Sequence, residues 1–429
     1  MLWFAESGRH PPPTVDRVAA GHGHAHAGSA ESTLRVTAWV RRLLIAVVAA
    51  CGLAAVIAIA VWWPDGERVD TVRGVVPFAV EGVEVVHGEL VEVRTACTGA
   101  PGSGGGECGD STVRILDGPN EGAVAPLPLG PEIADTGLRP GDRVLVFDQT
   151  QLLNSQAPSF SFYRADRGGS LLWLAVVFAV VVVAVARMRG LMALVSLGFA
   201  GVVVIGYLVP ALLSGEPAVA VTVAASVLIL IVMLYATHGV SMRTTVALVG
   251  ALIGVALSTG FATLAVQGSR LGGFGNDAAG ILAFNVTWVD VQQIVIASVV
   301  LAGLGTLNDV TITQVSAIWE LRTASPTASR RDLYRHAMRI GRDHVASTVY
   351  TLVFAYLGTA LVLIVAVQLL ASTAFDFVTA EDVALEIVRA LVGGIALVLA
   401  MPITTAIGVL VAVGAAPAPE TPQAAASVA

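Results

Sequence analysis

Long apolar runs broken by short polar segments set the pattern of this 429-residue chain. A helix needs about 20 mostly apolar residues to cross the hydrocarbon core of a bilayer. Eight segments meet or approach that length: 43–63, 170–186, 190–213, 218–236, 244–266, 291–310, 345–369 and 387–411. The second is short, and the sixth passes into polar residues without a break signal. What is left divides into a tail at 1–42, a polar stretch at 64–168 and a second tail at 412–429. The pattern predicts an α-helical polytopic membrane protein of about eight transmembrane helices. The first helix, 43–63, stands apart, and seven more make a membrane domain over 169–411, with both tails disordered.

The polar stretch alternates with the period of a strand. Glu84-Val-Val, Leu90-Val-Glu-Val, Thr112-Val-Arg-Ile-Leu and Arg143-Val-Leu-Val-Phe are short alternating runs. Asp117-Gly-Pro-Asn and Arg139-Pro-Gly-Asp are turn sequences between them. A small β-rich domain, barrel, sandwich or OB-like, is expected between the first and second helix. Its strands have almost no aromatic residues on which bases would stack, so nucleic acid is not expected as a partner.

Charge orients the helices. Every basic residue is Arg, and short cytoplasmic loops hold an excess of positive charge. With the N-terminus inside, the inner loops hold Arg187, Arg189, Arg243 and six arginines from Arg322 to Arg342, against Arg270 and Arg389 outside. Arg35, Arg41 and Arg42 flank the first helix on the same inner side. Both tails are then cytoplasmic and the β-rich domain extracytoplasmic. Ala58-Ile-Ala resembles a signal cleavage site, but 42 residues precede the apolar run and Trp62-Trp63 suits an interfacial belt, so the helix is read as an uncleaved anchor. Composition agrees: 55% of residues are apolar and 13% charged, about half the charge of a soluble domain. It excludes a soluble enzyme, a disordered regulator and a disulfide-framework toxin. The bilayer is the partner this composition requires; a second copy or another membrane protein stays open.

Ionisable groups at membrane depth are the first candidates for function. Asp309, Thr313, Ser316 and Glu320 stand at i, i+4, i+7 and i+11, one stripe of a helix, which Thr306 extends and Asn308 flanks. A carboxylate between hydroxyls fits a short path for an ion or proton. The alternatives are that Asp309 pairs with an Arg of the following loop and that Glu320 marks the interface. Gly303 and Gly305 offer a place for the helix to break. Arg335, Arg339 and Arg342 recur along a basic amphipathic stretch that ends in Asp343 and His344, read either as an interfacial helix on anionic headgroups or as a gate in which Arg342 pairs with Asp309 or Asp343. Glu386 and Arg389 can pair in the last span, where Thr404 and Thr405 can satisfy the carbonyl freed by Pro402. Gly250, Gly254 and Ser258 have the spacing of close helix packing. Cys97 and Cys108 flank a Gly-rich loop and are expected as a disulfide rather than half a metal site, while Cys51 is apolar filler. His22, His24 and His26 alternate in the N-terminal tail, either a weak metal site or low-complexity sequence. No cofactor is implied.

Three blocks carry a family likeness: Leu304-Gly-Thr-Leu-Asn-Asp-Val with Ser316-Ala-Ile-Trp-Glu-Leu, Met338-Arg-Ile-Gly-Arg-Asp-His with Phe354-Ala-Tyr-Leu-Gly, and Glu386-Ile-Val-Arg-Ala-Leu-Val-Gly-Gly with Met401-Pro-Ile-Thr. From Ser170 onward the chain resembles the YibE/F family of bacterial multi-span membrane proteins. Asn308-Asp309-Val310-Thr311 stands where the family pattern is closer to Met-Asp-Val-Ala. The resemblance implies a location in the bacterial plasma membrane and a permease role, with no substrate, cofactor or catalytic residue attached. A transporter that uses the stripe is therefore the leading expectation, and a non-transporting scaffold whose outer domain recruits partners is the alternative. An enzyme is not expected: His-Glu-x-x-His is missing, and so is Gly-x-Ser-Gly at membrane depth. Only a pair such as Asp309 with Asp343 would restore that reading.

Overall fold

The computed structural model describes residues 36–75, 83–94, 110–130, 133, 136–153, 157–275, 277–370 and 373–414. The expected helices follow the apolar runs. α1 (Ala38–Val61) leads through a short α2 (Gly66–Val75) into five strands. Then come α3 (Gly168–Leu213), α4 (Ala218–His238), α5 (Met242–Gly268), α6 (Asp277–Asn285), α7 (Val291–Ala324), α8 (Arg330–Leu370), α9 (Ala374–Thr379) and α10 (Glu381–Val413). Among the described residues seven of these are long and apolar enough to cross a membrane. The chain is a multi-pass membrane protein.

The difference between seven helices and eight expected segments lies in α3. At 46 residues it would run about 69 Å if straight, twice a bilayer core. It is not straight. Arg187 takes φ 53° and ψ −132°, the conformation of the first central residue of a type II′ turn, where glycine is the usual occupant. A Cβ on Gly190 would stand 2.6 Å from the carbonyl oxygen of Val182, although eight residues of straight helix rise about 12 Å. The chain doubles back at Arg187 into two arms, 168–186 and 188–213, which match the second and third apolar segments. A π-helical turn, Val204–Leu208, lies within the second arm.

α5, α7 and α10 form the centre of the bundle. Lipid is as apolar as the side chains, so close van der Waals packing must hold such helices together. Gly250 and Gly254 allow it. A Cβ on Gly250 would meet Thr404 Oγ1 at 2.2 Å, and one on Gly254 would meet Leu307 at 2.5 Å and Ala400 at 3.3 Å. Leu307 and Ala400 are each near the middle of their helices, so these contacts also mark the half-depth of the bundle. At one end Thr37 Oγ1 donates to the Gly414 carbonyl at 2.9 Å, which ties the start of α1 to the end of α10. At the opposite end Asp65 N donates to Ser214 Oγ, Trp288 Nε1 to the Leu213 carbonyl, and Gly273 N to Glu381.

The polar stretch folds as one antiparallel sheet in the order β3-β2-β1-β4-β5, with β1 Glu84–Glu92, β2 Ser111–Ile115, β3 Val124–Leu127, β4 Arg143–Asp148 and β5 Phe160–Ala165. It curls into a half-barrel whose outermost strands approach each other. Two expected runs join into β1 because Gly88 permits a close crossing: a Cβ there would stand 2.4 Å from Val113 Cγ2. Val86, Leu90, Val113, Ile115, Val144 and Val146 alternate inward to make its core. Both turn glycines, Gly118 and Gly141, take positive φ. Asp148 ends β4 almost fully buried, accepting from Asn120 Nδ2 at 2.7 Å and from Thr150 N at 3.0 Å. Burial pushes its carboxyl up, but these bonds outweigh it and hold the group below its ordinary 3.8. Asp117 behaves likewise: burial raises it, and bonds from the backbone and ring of His87, both at 2.6 Å, outweigh that and hold it lower.

Candidate functional site

The polar stripe of α7 lies on a single continuous helix; Gly303 and Gly305 do not break it. The expectation of an unwound segment is corrected, and every backbone bond through the stripe stays within the helix. Asp309, Thr313 and Glu320 are exposed, while Thr306 and Ser316 are half-buried. Their opposite faces, Leu307, Val310, Val315 and Ile318, are in the core. At Asp309 and Thr313 the stripe therefore faces α8 across an open groove. The hydroxyls serve their own helix: Thr306 donates to the Gly303 carbonyl, Thr313 to Asp309 and Ser316 to Ile312.

Asp309 does not pair with Arg342. Its Oδ2 stands 3.4 Å from His344 Nε2, and Thr313 Oγ1 lies 3.5 Å from the same ring nitrogen. Arg335, Arg339, Arg342 and Asp343 project from the exposed face of α8, and among the described residues none joins an ion pair. The reason is helical phase. Leu333, Ala337, Gly341, Thr348 and Leu352 are buried, and His344 follows their spacing while Arg342 and Asp343 do not. Gly341 sets the approach of the helices: a Cβ there would meet Met401 Sδ at 2.5 Å and Gln314 Oε1 at 2.8 Å. Gln314 is a buried clasp that donates to the Ala337 carbonyl at 3.0 Å and to Thr405 Oγ1 at 2.8 Å, joining α7, α8 and α10. One turn further along α8 from Gly341, His344 reaches Asp309.

Depth gives this pair its interest. Asp309 is two residues past Leu307, about 3 Å along the axis, so its carboxylate sits near half-depth. Its side chain is nevertheless 57% exposed. His238, the last residue of α4, lies within electrostatic reach of Asp309, Arg189 and Arg243. Beside Asp309, Asn308 Oδ1 is buried without a hydrogen-bond partner among the described residues.

Further along the groove a cavity of about 620 Å³ opens between α7, α8 and α10. Thr306 and Gly305 line it from α7, and Glu386 and Arg389 close its far end. Glu386 and Arg389 are paired, and Arg389 Nη2 also donates to Ser298 Oγ at 3.1 Å. Thr404 and Thr405 donate to the carbonyls of Ala400 and Met401. They do not reach the carbonyl one turn before Pro402, so the expected repair of that gap is corrected. Among the described residues no group of three or more His, Cys, Asp or Glu side chains could hold a metal. His22, His24, His26, Cys97 and Cys108 lie outside the described residues, and Cys51 is a free thiol in α1.

With this geometry in place, comparison with known proteins gives one match. The sequence model of the family described as YibE/F-like protein matches residues 174–414, more than half of the chain. The chain belongs to the YibE/F-like family. No curated protein and no solved structure matches it. The matched region holds α7, α8 and α10 whole, and with them Asp309, His344 and the Glu386–Arg389 pair, so the groove is built entirely from the YibE/F-like part of the chain. Sequence reasoning missed His344, His238 and Gln314. The available signal was the phase of His344 with Leu333, Ala337 and Gly341, hidden by the conspicuous arginines between them.

Proposed function

We propose that this YibE/F-like protein is a permease of a small solute or ion, in which the groove between α7 and α8 is the pathway and Asp309 with His344 is its gate. The observation that carries the reading is a half-exposed carboxylate midway along α7, facing His344 of α8. A charge on a membrane-spanning helix faces water or protein rather than lipid, and a water-filled groove reaching Asp309 would meet that requirement. The hairpin at Arg187 supports eight crossings, and the Thr37–Gly414 bond supports two tails on one side. The arginine bias supports a cytoplasmic position for that side and an outer position for the half-barrel, OB-like in its five strands, in a bacterial plasma membrane. The reading is non-enzymatic.

The test is flux in proteoliposomes, assayed with protons, metal cations and organic anions. Asp309→Asn is expected to lower the transported flux at least tenfold while the protein remains folded. Unchanged flux of every transported solute in Asp309→Asn overturns the pathway. The scaffold reading draws on the first arm of α3, whose most apolar 18 residues have none buried in this chain. A stable membrane partner on that arm, with no flux of any solute, would favour it.

A further inference from the structure

We propose that the cavity between α7, α8 and α10 binds a small organic monoanion with an apolar body, its charge held by Arg389 and Tyr356. The inference rests on the permease reading for movement only; binding is a separate property of the cavity. At about 620 Å³ it lies within the usual range of small-molecule pockets. Ala302, Leu352, Ala355 and Leu363 give it apolar walls, which suit a hydrocarbon or aromatic body.

Its polar groups are unevenly arranged. Thr306, Thr351 and Thr359 line the cavity but donate their protons to carbonyls of their own helices. Donors therefore collect at the Arg389 end. A guanidinium has five N–H groups; among the described residues Arg389 spends one on Glu386 and one on Ser298. Tyr356 lines the same cavity within electrostatic reach of Arg389 and Glu386. Its phenolic O–H makes no hydrogen bond among the described residues and adds another donor.

Glu386 is the one carboxylate in the lining, and it is already tied to Arg389. Both side chains are mostly buried, at 19% and 24% exposed, so the pair is shielded from the screening that weakens surface ion pairs. A carboxylate can accept from Arg389 in the bidentate manner guanidinium favours, sharing the cation with Glu386 or displacing it. A cation would meet the guanidinium, and a neutral solute would leave its surplus donors unmatched. Glu386 thus acts as a built-in competitor that holds Arg389 when the cavity is empty.

The experiment is calorimetric titration of the full-length protein in nanodiscs with benzoate, set against benzyl alcohol and benzylamine. Benzoate is expected to bind at least tenfold more tightly than either. Glu386→Gln should tighten benzoate several-fold, and Arg389→Gln should weaken it tenfold or more. The double variant Arg389→Gln with Glu386→Gln removes both charges and controls for a lone buried carboxylate; it should bind benzoate no better than benzyl alcohol. Equal binding of benzoate and benzyl alcohol, no binding of benzoate, or full binding in the double variant overturns the site. Benzoate binding lost in the double variant, with no flux of any solute, would leave the site standing and remove the permease reading. Flux that depends on Asp309 without benzoate binding would do the reverse.

Discussion

Asp309 meets His344 across two helices, 3.4 Å from Oδ2 to Nε2, at the half-depth of a helical bundle. Each residue is local to its own helix, yet neither helix shows from its sequence that the other is there. If the two act as one gate, their effects are not additive. Asp309→Asn and His344→Gln should each reduce proteoliposome flux about tenfold or more, and the double variant should be no worse than the more damaging single one. Multiplicative losses would mean that the two residues work independently.

Close packing at Gly250 and Gly254 predicts a stability effect separate from transport. A methyl group at Gly250 collides with Thr404, and overfilling a packed interface costs about 1–3 kcal/mol. Gly250→Ala should lower the thermal midpoint of the purified protein, and Thr404→Ala should restore part of the loss. A Gly250→Ala protein as stable as the parent would show that α5 and α10 separate easily.

The turn at Arg187 predicts a gain. A non-glycine residue at φ 53° carries backbone strain of about 1–3 kcal/mol, and Arg187→Gly relieves it. Its midpoint should rise. Gly190→Leu should do the opposite, because its Cβ would press on the Val182 backbone. The same thermal scans read both, and a rise in Gly190→Leu would rule out the doubled-back chain.

Acid should loosen the half-barrel before the bundle. Asp148 and Asp117 have folded-state affinities for protons below the ordinary 3.8. The stability they contribute is therefore fully present above about pH 5 and is lost as pH falls below 3.8 toward their folded values. Amide exchange along β4 in the intact protein, corrected for the intrinsic pH dependence, should accelerate between pH 5 and pH 3. Asp148→Ala strands the Asn120 amide and the Thr150 N–H, at about 1–3 kcal/mol, so exchange in β4 should be faster already at neutral pH. Equal protection of β4 in variant and parent would show that Asp148 is not a structural anchor.

Hydropathy alone located the seven long apolar helices, because burying unpaired backbone in lipid leaves few choices but a long helix. It counted α3 as two, and the backbone at Arg187 shows how one helical run can hold two spans. The strands were readable where side chains alternate, but the runs at Glu84 and Leu90 are one strand, joined through Gly88 where β1 crosses β2. The stripe on α7 was readable because it needs one period within one helix. His344 was not, since its importance depends on which face of α8 turns inward, and that is decided by the clearance Gly341 gives to Met401 and Gln314. The cavity was less legible still. Glu386 and Arg389 were visible as a pair, but Ser298 and Tyr356 come to them from distant parts of the chain.

The bond from Thr37 to Gly414 holds the start of α1 beside the end of α10. Joining those neighbours through a short linker and opening the chain between α7 and α8, at 325–329, keeps every helix intact and changes only where the polypeptide starts. Such a permuted protein would put the new termini on the side of the groove's Glu320 end, where a reporter attached to either one would sit beside the pathway itself.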